Sequence, residues 1–178
     1  MGLAQIPGPS YRTPGGVNAI TSQAAVSAVA TVTNAVSYII PANTLAAGSS
    51  YRIAASGTVD NSAASPTFNW VLRLGGVTLA TVSVPSVTTA GTGKAWKAEA
   101  LLTCRLAGAS GKVVGSIQVT NEIATTFTAA VNIDSPIVNA GTFNTTLAQQ
   151  IDMAMFMGTA VAANVMRAEV ALVELVRL

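Results

Sequence analysis

Apolar and polar positions alternate along most of this chain. Val26, Ala28, Ala30 and Val32 interleave with Ser27, Val29, Thr31 and Thr33, and Tyr51, Ile53, Ala55, Gly57 and Val59 interleave with Arg52, Ala54, Ser56, Thr58 and Asp60. Phe68, Trp70, Leu72 and Leu74 share one parity, and Trp96, Ala98, Ala100, Leu102, Cys104 and Leu106 share another. Successive side chains of a strand point to opposite sides of its sheet, so a period of two predicts strands with one buried and one exposed face. Both tryptophans fall on core-facing parity. Met153, Met155 and Met157 follow Ile151 on one parity and read as core. Further strands are expected at 36–40, 77–84, 112–120, 126–133, 150–157 and 166–176. In the last of these Glu169 points outward, while Glu174 falls on the other parity, so the strand changes phase between them.

Turn chemistry separates these runs. Gly75-Gly76 suits a two-residue hairpin loop that demands positive φ, "AGASGK" (107–112) is a second hairpin connection, and "AGTG" (90–93) a looser one. No segment shows a sustained 3.6-residue period with caps. The expected fold class is all-β: an antiparallel two-sheet jelly-roll sandwich over 24–178. Residues 1–23, rich in Pro, Gly and Ser, read as an extended N-terminal arm, and 134–148 as an irregular loop at one end of the sandwich.

Composition adds a constraint. Hydrophobic residues make up 51% of the 178 and charged residues 9%, against about 25% charged in ordinary domains. No charge occurs between Arg12 and Arg52. A chain so poor in charge has little to keep its copies apart, so part of its surface is expected to be covered by neighbours. The arm residues Ile6, Pro7, Pro9, Tyr11, Arg12 and Pro14 are candidates to grip a partner. Ala171, Val173 and Leu175 are candidates for a subunit interface, or alternatively mark a central strand covered on both sides within one domain.

Partners and chemistry of other kinds are not indicated. A net charge of +2, carried by scattered Lys and Arg, does not make the basic stripe that nucleic acid requires. Residues 24–40 alternate instead of forming the roughly 20-residue apolar run of a membrane helix, and the first residues lack the pattern of a signal peptide. With one cysteine there is no intrachain disulfide. Histidine is absent, which removes imidazole triads and metal sites. Cys104 shares the core-facing parity, and an apolar buried thiol is inert. Gly93-Lys94 and Gly111-Lys112 fail as phosphate loops, since neither has a glycine five residues earlier and Ala95 and Val113 stand where Ser or Thr is needed. Neither an enzyme nor a cofactor is expected.

The run "IPANTLAAGSSYRIAASGTVDNSAASPTFNWVLRLGGVTLATV" resembles a jelly-roll pattern of tailed-bacteriophage structural proteins. "KAWKAEALLTCRLAGASGKVVG" and the closing "AEVALVELVRL" fit the same pattern. The resemblance spans about Val36 to Leu178. It implies a tumour-necrosis-factor-like sandwich, commonly a homotrimer, located in the virion and assembled in the host cytoplasm. Such proteins serve as capsid decoration (cement) proteins bound to the major capsid protein or another virion protein, or as tail-fibre or spike modules that adhere to a host receptor. The family offers no catalytic residue to carry over.

Overall fold

The computed structural model describes residues 16–19, 24–27, 32–62, 67–84, 90–122, 131–138, 143–158 and 163–177. Eleven strands are present among them and no helix. They are β1 (Gly16–Ala19), β2 (Ala24–Ser27), β3 (Thr33–Ile40), β4 (Ser50–Asn61), β5 (Phe68–Leu74), β6 (Val77–Val84), β7 (Gly91–Leu106), β8 (Lys112–Asn121), β9 (Val131–Val138), β10 (Gln149–Met157) and β11 (Val165–Arg177).

One sheet has seven strands in the order β1-β11-β4-β7-β8-β9, with β2 also paired to β11; the other has four in the order β3-β10-β5-β6. Every pairing is antiparallel. Only β5–β6 and β7–β8–β9 are neighbours in both sequence and sheet. Apart from β1 to β2, which both pair with β11, the chain elsewhere crosses between sheets, and the late strands β10 and β11 lie beside β3, β5 and β4. This is the two-sheet jelly roll that the alternation predicted.

The alternation explains the layers. Phe68, Trp70, Leu72 and Leu74 of β5 and Ile151, Met153, Met155 and Met157 of β10 are all buried. They face Tyr51, Ile53, Ala55 and Val59 of β4 and Trp96, Ala98, Ala100, Leu102 and Cys104 of β7. Stacked sheets sit about 10 Å apart, so small alanines on one side make room for large rings and thioethers on the other. The hairpin at Gly75-Gly76 has φ of 57° and 79°, both in the left-handed region that this turn requires.

Several expected boundaries move. Residues 16–19, assigned to the arm, form β1 and pair with β11 at Glu174, Val173 and Leu172. The stretch 134–138, expected to be loop, completes β9, which pairs with β8 as far as Val138. Pro136 hides this strand from sequence reasoning, yet β9 ends its sheet, and an edge is where proline is tolerated. Gly91–Gly93 belong to β7 and not to a connection. Residues 28–31 and 126–130, expected to be strand, lie outside the described residues.

Candidate interaction surfaces

Among the described residues, no three His, Cys, Asp or Glu side chains gather as a metal site would require. Cys104 is buried, with its thiol directed at the carbonyl oxygens of Leu106 (3.3 Å) and Leu45 (3.7 Å). Burial raises its pKa above the ordinary thiol value, opposing thiolate formation.

The surface is more informative. The outer face of the seven-stranded sheet is built in rows across its strands: Glu174, Arg52, Leu101 and Ser116 in one, Leu172, Ala54, Glu99 and Gln118 in the next, and Val170, Ser56, Lys97 and Thr120 in a third. Charges on this face neutralise one another laterally. Arg52 donates to both Glu99 and Glu174, the latter at 3.5 Å, and Lys97 lies 3.1 Å from Glu99. Arg167 pairs with Asp60, whose other oxygen accepts the Gly93 N–H at 2.8 Å. Hydrogen bonding from Lys97, reinforced by Arg52, holds the Glu99 carboxyl below its ordinary range although burial opposes it. Asp60 is lowered too, first by the Gly93 amide and then by Arg167. Arg52 is raised, chiefly by its bond to Glu99.

Between these pairs lie apolar side chains open to solvent. Val170 is 61% exposed, Val176 55% and Leu101 45%, with Leu172 half-buried beside Val170. A shallow cleft of about 100 Å³ separates Val170 and Leu172 from Ala54, Ser56 and Lys97. A larger one, about 280 Å³, lies over Arg52, Glu99, Leu101, Ser116 and Gln118.

This arrangement corrects the expected subunit interface. Ala171 and Val173 are buried in the sandwich and Leu175 packs against its core, so the domain's own second sheet covers them. The outward row is Val170, Leu172, Glu174 and Val176. Sequence pattern alone did not select it because a β-bulge shifts the register between Ala168 and Val170. Buried parity runs through Met166 and Ala168 before the bulge and through Ala171 and Val173 after it. The phase change between Glu169 and Glu174 was the available signal. The candidate arm residues Ile6, Pro7, Pro9, Tyr11, Arg12 and Pro14 lie outside the described residues.

The outer face of the four-stranded sheet is different in kind. Arg73 on β5 donates through Nε to Asp152 on β10 at 2.6 Å and through Nη2 to Asn34 on β3, and Gln150 Nε2 donates to the second Asp152 oxygen at 3.1 Å. The Asp152 side chain is 3% exposed. Its partners tie three strands together, a structural use of charge.

No protein-family model matches the chain, and no curated protein does. Among solved structures it is similar to the CBM2 module of Lactobacillus casei BL23 phage J-1 evolved Dit, at 12% identity and a TM-score of 0.37, over 78% of this chain and 67% of that one.

Proposed function

We propose that this chain is a bacteriophage virion structural protein without catalytic activity, a capsid decoration (cement) protein that assembles as a homotrimer and stabilises the shell it coats. The observation that carries this reading is the outer face of the seven-stranded sheet. Around its centre Arg52, Lys97, Glu99 and Glu174 are already paired within the chain, and Val170, Leu172, Leu101 and Val176 are left open between them. Charges already paired cost less to cover than lone ones, and the apolar side chains beside them gain by leaving water. The strand-and-turn resemblance to phage jelly rolls and the scarcity of charge support the same reading. A protein that binds only the assembled shell stabilises it by mass action.

The test is the native mass of the purified chain at micromolar concentration, with a variant carrying Val170→Glu and Leu172→Glu. The wild type is expected to be a trimer and the variant a folded monomer. A wild-type monomer at every concentration, or a variant that remains trimeric, contradicts the assigned face.

A further inference from the structure

The end of the sandwich formed by the connections 41–49, 75–76, 107–111 and 143–148 carries a second concentration of exposed apolar side chains. Ile39 is 63% exposed, Leu147 58%, Leu106 50% and Val77 44%. Backbone hydrogen bonds tie together the segments that carry them. Ile39 pairs with Gln150, whose carbonyl accepts the Gly75 N–H at 2.7 Å, two residues before Val77. Gly111 and Phe143 exchange backbone bonds of 2.7 and 2.9 Å, joining the hairpin after Leu106 to the loop that holds Leu147.

The connections are held in place as well. Thr145 is buried, its amide donates to the Gly108 carbonyl at 2.9 Å, and its hydroxyl accepts the Gly108 N–H at 2.7 Å. Asn43 donates to the Thr145 carbonyl at 3.1 Å, and Gly48 to that of Cys104 at 2.8 Å. Leu147 on a loop fixed this way, and Ile39, Val77 and Leu106 at the ends of strands, lose little conformational entropy when something docks on them.

The charge at this end bears on the kind of partner it suits. The four connections contain no charged residue. Arg105 and Lys112 flank the hairpin, and both are exposed. Neither makes an ion pair among the described residues, whereas Arg52, Arg73, Lys97 and Arg167 are each matched to a carboxylate. A basic pair beside an apolar surface is complementary to an apolar protein patch rimmed by carboxylates.

We infer that this loop end docks the chain onto an acidic-rimmed apolar patch of a protein of the virion shell, through Ile39, Val77, Leu106 and Leu147 with Arg105 and Lys112 steering the approach. The inference rests on the decoration reading and assigns the shell contact to the tip, leaving the sheet face for the trimer.

The test uses the full chain and particles of its phage stripped of the protein. The wild type is compared with Arg105→Glu/Lys112→Glu and with Leu106→Ser/Leu147→Ser, whose native mass and melting curve confirm an intact fold. Each double variant is expected to weaken particle binding at least about tenfold, since losing 1.4 kcal/mol has that effect. The wild-type affinity is expected to fall with added salt. Wild-type-like binding by both folded variants overturns the tip assignment while leaving the decoration reading in place. Failure of the wild type to bind stripped particles overturns the decoration reading, and the tip assignment with it. Self-association of the free chain that both variants abolish identifies a second copy as the occupant and also overturns it. Binding to free anionic DNA or vesicles that matches particle binding in strength does the same.

Discussion

Trp96 on β7 lies against Trp70 on β5 across the gap between the sheets, ring centres 5.5 Å apart and planes tilted by 58°. The two indoles differ in their polar atoms. Trp96 Nε1 donates to the carbonyl oxygens of Thr58 (3.3 Å) and Arg167 (3.1 Å), fastening β7 to β4 and β11. Trp70 Nε1 is buried without an acceptor among the described residues. Trp96→Phe is therefore expected to destabilise the fold by about 1–2 kcal/mol more than Trp70→Phe, the difference being the lost hydrogen bonding. Urea unfolding of the two variants measures it; equal losses would show that the indole hydrogen bonds contribute nothing net.

Arg73 and Asp152 give a prediction about buried charge. Arg73→Ala leaves the Asp152 carboxylate enclosed without its cation and is expected to cost about 3–5 kcal/mol. Replacing both with apolar residues of similar volume is expected to cost much less. Comparable losses in the single and double variants, measured by denaturant titration, would mean that packing, not charge, dominates here.

Acid should weaken the fold in a defined direction. Glu99 and Asp60 are held below their ordinary values of 4.5 and 3.8. A carboxyl depressed in the folded state stabilises that state above its unfolded pKa, and the contribution is lost as pH falls through the folded one. Stability is thus expected to be level at neutral pH and to decline below about pH 4.5. Glu99→Gln should flatten part of that decline. A denaturation midpoint unchanged down to about pH 3 would count against these pairings.

Cys104 is expected to resist thiol reagents in the native state at neutral pH and to react stoichiometrically once urea unfolds the chain. Burial both encloses the thiol and disfavours its thiolate. Rapid labelling without denaturant would place it at the surface.

The layers of the sandwich were legible in the sequence because alternation directly encodes which side of a sheet a residue takes. Trp70, Trp96, Cys104 and the Met153–Met155–Met157 stripe all lie on the side their parity indicates, and Gly75-Gly76 makes the expected turn. The outer surface was less legible. A one-residue bulge before Val170 inverts the last strand, so reading parity through it selects Ala171 and Val173 in place of Val170 and Leu172. The Arg52 pairs depend on residues 47 and 122 positions away, a separation that only the crossing of β4 between β7 and β11 closes. The loop end depends on the same kind of information, since the segments that carry Ile39, Leu106 and Leu147 are held by backbone bonds to residues distant in sequence.

Whether this is a scaffold protein repeated over a phage shell is decided by its molar ratio to the major capsid protein in purified particles. A fixed ratio of the same order as the capsid protein itself is expected, as a shell-wide coat requires. A handful of copies per particle would indicate a tail-fibre or spike module, and complete absence from the particle would contradict a virion role altogether.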